Sequence, residues 1–184
     1  MLWRVLALIV VIYIGDVWAQ EEVADKGVGG QNVGWETGLL LGNLLPNQIG
    51  GVTEITGLGG VRAGYRMGTS SFAESTLLMG NGNGVEWKNL SFSIRMDIPV
   101  ENFVGVAYVG PDITYYKGAN SGSNRIIFGG HVGGGIQTSL GGLTWLRGDM
   151  KFGLSPGTSM FIGLSLVFRF AGGGSGGGSS GGAP

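Results

Sequence analysis

The chain has 184 residues, enough for one domain with a real core, and its formal net charge of −1 gives no broad electrostatic case for nucleic acid or an anionic membrane surface. It has no cysteine, which excludes disulfides, thiolate metal sites and cysteine catalysis together. Charged residues make up only 12% and forty residues are glycine, whereas a soluble domain carries roughly 25% charge.

The N-terminal stretch reads as an export signal. "MLWR" supplies a positive charge, Val5 to Ile14 is an apolar run of ten, and Val17-Trp18-Ala19 places small residues at the −3 and −1 positions. The run falls short of the roughly twenty residues that a spanning helix needs. Residues 1–19 are therefore expected to be a signal peptide. Residues 20–33 are polar and aperiodic, a flexible periplasmic lead-in.

From Gly34 the pattern changes to alternation with a period of two, broken by turn-forming clusters. Eight such segments are predicted: 34–42, 55–66, 71–80, 86–96, 103–112, 125–138, 143–153 and 158–170. In the fourth, Leu90, Phe92, Ile94 and Met96 share one face, and Asn89, Ser91, Ser93, Arg95 and Asp97 the other. Strand geometry sends successive side chains to opposite sides, so one sheet face is apolar and the other polar. No segment shows a helical period, so the chain is all-β. Longer connections follow strands one, three, five and seven, while "MGTSS", "DIPVEN" and "SLGG" close the others tightly. An even count of strands in such a meander lets the sheet close with no edge unpaired.

Parity alone does not say which face is inside. In a membrane barrel the apolar face meets lipid, and in a soluble barrel it fills the interior. The export signal and the scarcity of charge favour the membrane. So do aromatic residues near predicted strand ends: Trp35, Tyr65, Trp87, Tyr115, Tyr116 and Phe168. Trp87 and Trp145 run against this pattern, because their parity is that of the polar face. The expected fold is an all-β, eight-stranded antiparallel up-and-down transmembrane β-barrel over 34–170.

The last segment, "IGLSLVFRF", carries Ile162, Leu164, Leu166, Phe168 and Phe170 at every second position. It resembles the C-terminal signal by which outer-membrane barrels are recognised. Together with "HVGGGIQTSLGGLTWLRGDMKFG" it is similar to the small outer-membrane barrel family of OmpA- and OmpX-type proteins. The resemblance implies an outer-membrane location in a Gram-negative-type cell, outer-membrane lipids and the barrel-assembly machinery as partners, and both termini in the periplasm. One departure is that fourteen residues follow Phe170, forming a Gly/Ser-rich flexible tail, 171–184. OmpA-type proteins continue past the barrel through a linker to a peptidoglycan-binding domain, and this tail looks like such a linker with nothing after it.

Glu36, Arg62, Arg66, Glu74, Arg95, Asp97, Arg147, Asp149, Lys151 and Arg169 share the polar parity. Eight strands enclose an interior that side chains just fill. These charges are expected to form a cross-lumen ion-pair network, since unpaired charge in that space is costly. A conduction path lined by charge is the alternative.

His131, the only histidine, has lumen parity among Gly129, Gly133, Gly135 and Gln137. A metal site needs further ligands, and a lipid-modifying hydrolase needs histidine, hydroxyl and acid converging on the lipid face. "RGD" at 147–149 lies within a strand with its charges inward, so it is not displayed for adhesion. The glycine clusters lack the ending and the strand-to-helix context of a phosphate loop.

The expectation is a non-enzymatic barrel with a structural or surface-interaction role and no cofactor or metal. An extracellular partner would meet the tips 43–54 and 113–124, with Tyr115, Tyr116 and Lys117 as candidate contacts. A narrow porin-like channel and a lipid-modifying barrel enzyme are the alternatives.

Overall fold

The computed structural model describes residues 33–47, 56–82, 85–117, 124–154 and 157–171. The expected signal peptide, nearly all of the lead-in, the tail beyond Ala171 and the loop tips 48–55 and 118–123 lie outside the described residues.

Eight strands follow one another: β1 (Val33–Asn47), β2 (Thr56–Arg66), β3 (Ser71–Gly82), β4 (Val85–Val100), β5 (Phe103–Lys117), β6 (Arg125–Gly141), β7 (Thr144–Gly153) and β8 (Thr158–Ala171). Each pairs antiparallel with the next, and β8 returns to β1 from Trp35 opposite Phe170 to Asn47 opposite Thr158. The sheet is a closed barrel. Phe170 is the next-to-last residue of the closing strand, and the regular register with β1 stops there, with only the shifted Val33–Ala171 pair beyond it.

Several strands run further than their sequence signals suggest. β1 continues through Pro46 to Asn47, β4 continues to Val100, and β5 continues through Tyr115 and Tyr116 to Lys117. Pro46 is tolerated because, among the described residues, it pairs only with Ser159 of β8, while the pairing with β2 stops at Leu44. A missing N–H costs little where a ladder has one side only. Pro111 sits mid-strand, and the β4–β5 ladder skips from the Ser91–Asp112 pair to the Ile94–Val109 pair around it.

At the end of the barrel where β1 begins and β8 finishes, called the terminal end below, the hairpins are tight. The β6–β7 turn uses Gly141 and Gly142 at φ of 112° and 56°, the left-handed region that other residues rarely adopt. The turn between β2 and β3 is bound by Arg66, whose Nε and Nη2 donate to the carbonyls of Gly68 and Thr69 at 2.8 and 2.6 Å.

The outer face is apolar. On β4 the outward row runs Leu90, Phe92, Ile94, Met96, Ile98 and Val100, with Phe92 49% and Ile94 61% exposed. At about 3.4 Å per residue and a tilt near 40°, that row spans roughly 26 Å along the barrel axis, the height of a membrane barrel's apolar band. Charge begins just beyond it, where exposed Lys88 pairs with Glu86 at 2.7 Å. Trp35 and Tyr65 pack together on the outside of the terminal end, ring centroids 4.7 Å apart. The protein is a transmembrane β-barrel, with hydrocarbon as the solvent of its outer face.

Glycines on the inner face make room for large side chains. A Cβ at Gly133 would overlap the ring of Tyr108, and one at Gly163 would overlap the ring of Phe161. Gly133→Ala is expected to destabilise the barrel by about 1–3 kcal/mol through overpacking. Urea unfolding of the reconstituted protein measures this. The Tyr108→Leu background should recover most of the loss; an equal loss in both backgrounds would remove the ring as its cause.

Candidate functional site: the lumen

The interior is built in layers. Nearest the termini, Arg169 lies over the Trp145 ring at 4.1 Å and Arg95 over the Phe72 ring at 4.1 Å. Arg169 Nη2 and Gln137 Nε2 both donate to Asp97 Oδ2, at 3.1 and 2.8 Å.

Next comes the ionic lattice. Arg95, with no exposed surface, holds three carboxylates at once. Its Nε donates to Asp97 Oδ1 at 2.8 Å, its Nη1 to Glu74 Oε2 at 2.7 Å, and its Nη2 to Glu36 Oε2 at 2.9 Å, with a second contact from Nη1 to Glu36 Oε1. Arg147 donates to the same Glu74 oxygen at 2.6 Å and through Nε to Asp149 Oδ1 at 2.8 Å. Arg62 Nη2 lies 2.9 Å from Asp149 Oδ2, an ion contact that is not aligned as a hydrogen bond, and Arg62 Nε is left without a partner. Planar guanidinium forks suit this task, because one arginine can satisfy several carboxylate oxygens in fixed directions.

Above the lattice lies a polar layer around His131. Ser93 Oγ and His131 Nε2 are 2.9 Å apart, and His131 Nδ1 is 3.1 Å from Asp112 Oδ1 without hydrogen-bond alignment. Lys151 donates to Asp112 at 2.9 Å and to Asn89 at 2.8 Å, and Asn89 donates to Thr114 at 2.7 Å.

The lattice and the polar layer contain five acids (Glu36, Glu74, Asp97, Asp112, Asp149) and five bases (Arg62, Arg95, Arg147, Lys151, Arg169), so the formal charges of these ten balance. All eight strands contribute a member to this polar interior. Removing one partner of a buried pair strands the other, which is why the sum of charges matters as much as any single contact.

The layer furthest from the termini is apolar. Leu40 and Leu44 of β1, Leu58 of β2, Leu78 of β3, Val85 and Trp87 of β4, Tyr116 of β5 and Phe161 of β8 form one buried cluster, with Ile127 of β6 packed against it. Trp87 and Tyr116 stack with centroids 5.7 Å apart.

Nine of the ten expected lumen charges meet inside. Arg66 is the correction: it stands at the rim and holds the β2–β3 turn, because its long side chain reaches free backbone carbonyls before any carboxylate. Tyr116 is a second correction. It is 2% exposed inside the lumen, so it is neither a displayed contact nor part of an outer aromatic belt. Tyr115 faces outward below Lys88, whose Nζ lies 5.2 Å from the ring centre, and Lys117 is an exposed strand-end residue. Ile162, Leu164, Leu166, Phe168 and Phe170 all face outward.

Asp112 and Thr114 stand outside the expected lattice: Asp112 is the last residue of the predicted segment 103–112 and Thr114 falls in the expected tip 113–124, whereas β5 carries both into the lumen. Sequence reading did not foresee the apolar layer. That layer was hidden because Leu40, Leu44, Leu58 and Leu78 are apolar at positions of inner parity, which weakens the alternation in their strands.

Ser93, His131 and Asp112 are connected like a nucleophile, a base and an orienting acid. The adjoining cavity has a volume of about 10 Å³ and lies inside the barrel, so it admits a water molecule and no acyl substrate. Among the described residues no cluster of metal-ligating side chains exists.

No protein-family model and no curated protein matches this sequence. Solved structures do match the fold. The N-terminal β-barrel domain of Pseudomonas aeruginosa OprF superposes with a TM-score of 0.62 at 14% identity, covering 76% of this chain and 98% of that one. Neisserial surface protein A gives 0.60 at 10% identity, covering 74% and 96%. The outer membrane protein OprG of Pseudomonas aeruginosa gives 0.53 at 8% identity, covering 77% and 98%. At these identities the likeness is one of fold: this chain has the architecture of the small eight-stranded outer-membrane barrels.

Proposed function

We infer that this barrel resides in the outer membrane of a Gram-negative-type bacterium, where it is a closed, non-enzymatic scaffold with a structural or surface-interaction role. The observation that carries this reading is the packed lumen, where the voids beside the ionic lattice and the apolar layer are water-sized, about 10 and 20 Å³. A pore needs a continuous aqueous path, and eight strands leave room for side chains alone. Two of the structural neighbours are named as an outer-membrane protein and a surface protein, in keeping with this location.

On this reading the chain termini lie in the periplasm, and the longer connections at the other end face outward from the cell. The exposed loop ends, including Lys117, are then the surface offered to a partner. The outward row ending in Phe170 serves as the recognition element for the assembly machinery. Phe170→Ala should lower the amount of barrel recovered in outer-membrane fractions, and normal recovery would remove that role.

Two measurements test the closed scaffold. Fractionated protein should migrate differently on gels before and after boiling, as detergent-resistant barrels do. The folded protein in planar bilayers should give no discrete conductance steps. Steps from the unaltered protein would replace the scaffold with a narrow channel, and altered membrane lipids on overexpression, reversed by His131→Ala, would replace it with an enzyme.

A further inference from the structure

The ionic lattice and the apolar layer are of opposite chemistry, and a void lined partly by the polar layer lies between them. The cavity of about 10 Å³ is bounded on one side by Leu40, Leu78 and Phe161 of the apolar layer. Arg62 and Glu74 of the ionic lattice bound the other side, and Ser91, Ser93 and His131 line the wall between. Arg62 Nε and His131 Nδ1, both buried, have no hydrogen-bond partner within the protein. Buried polar atoms without a protein partner beside a water-sized void are where ordered water is retained.

We propose that the lumen is an occluded chamber with two seals in series, an apolar septum towards the loops and an ion-pair seal towards the termini. This rests on the closed-scaffold reading and adds to it where the permeation barriers stand. The two seals stop ions for different reasons. Across the septum an ion would have to shed its hydration with no polar group to replace it, and an apolar constriction of this kind excludes water itself. Across the lattice, an ion meets groups that could solvate it, but each is already committed to a partner of opposite charge. Glu74 is shared between Arg95 and Arg147, at 2.7 and 2.6 Å. The septum draws on every strand but β7, so no single strand's motion opens it.

Series seals follow a definite logic. Conductance requires both to be removed, whereas entry of a small reagent into the chamber requires removal of only one. The septum is opened by Trp87→Ala/Phe161→Ala. The ionic seal is opened by Glu74→Ala/Arg147→Ala, which removes one charge of each sign and keeps the lumen neutral. In planar bilayers the unaltered protein and each double variant should be silent, and the quadruple variant should show discrete steps. Conductance from either double variant alone, with the unaltered protein silent, would overturn the two-seal inference while leaving the closed scaffold intact. Conductance from the unaltered protein would overturn the scaffold itself.

The cysteine-free sequence supplies a second readout that does not require the quadruple variant to fold. Ser91 is 1% exposed and lines the chamber. In detergent-folded S91C, a charged methanethiosulfonate reagent should react slowly. Adding either double variant should raise the rate by about tenfold or more, as expected when a protected site no longer needs local opening. Rapid labelling of S91C alone, or labelling that neither double variant accelerates, would show that the chamber is not sealed as described.

Discussion

Glu74→Ala is expected to destabilise the folded barrel by about 3–5 kcal/mol, the usual consequence of removing one partner from a buried ionic cluster. Glu74 is 4% exposed, and its Oε2 accepts from Arg95 and Arg147 while Arg62 Nη1 stands 3.9 Å away. Without it the lumen carries five bases against four acids, and two guanidinium groups lose their central acceptor. No solvent can replace it, because the nearest void holds little more than one water. Reversible urea unfolding in lipid vesicles, followed by tryptophan fluorescence, measures the loss. Glu74→Ala/Arg147→Ala restores neutrality and should cost less than the sum of its two single changes, with a coupling of about 0.5–3 kcal/mol. Strict additivity would mean that the two side chains do not share one lattice.

The second large effect lies on the outer face of the neighbouring strand, β4. Ile94→Arg is expected to destabilise the reconstituted barrel by about 2–4 kcal/mol, the cost of a lipid-facing arginine near the bilayer midplane. Ile94 is 61% exposed and centred in the outward row of β4, between Ala73 of β3 and Val109 of β5. The neighbouring Arg95 carries the same functional group at no exposure and is held by three carboxylates. One residue of displacement along the strand therefore separates a stabilising arginine from a costly one. The same substitution at Lys88, near the end of that row, should be close to neutral, because charge is already tolerated at the interface. If Ile94→Arg proved harmless in lipid, the outer face would not be meeting hydrocarbon.

These two expectations bear on different parts of the molecule's design. The outer surface is specified by solvent: lipid offers no hydrogen bonds, so backbone donors must be used within a closed sheet, and the side chains that face the hydrocarbon are mostly apolar. The lumen is specified by mutual satisfaction, since its charges have only one another. The apolar septum adds a third condition, because it fills one end of the cylinder without calling on that charge balance.

Much of this was legible in the chain itself. Alternation of Leu90, Phe92, Ile94 and Met96 with Ser91, Ser93, Arg95 and Asp97 identifies a strand and its two faces, because side-chain direction in a strand depends on position alone. An even number of such segments with tight turns at one end identifies the meander. Glycine at 141–142 identifies a turn that needs positive φ. The membership of the ionic lattice followed largely from parity as well.

Other features were decided only by closure of the sheet. Which face points inward is invisible to a period of two, since the same pattern serves a membrane barrel and a soluble one. Ion-pair partners were equally hidden: Glu74 meets Arg147 across 73 positions because β3 and β7 stand on opposite sides of one narrow cylinder. Arg66 shares the parity of the lattice but lies beyond its end, and depth along the axis is set by strand stagger rather than by parity. Leucines at inner positions of β1, β2 and β3 look like flaws in an alternating strand until closure of the sheet brings them to one level with Trp87, Tyr116 and Phe161 and they become a septum. The sequence by itself determined the strands, their faces and their order. The tertiary structure alone determined what surrounds each face and which side chains meet, because both depend on contacts between strands far apart in the chain.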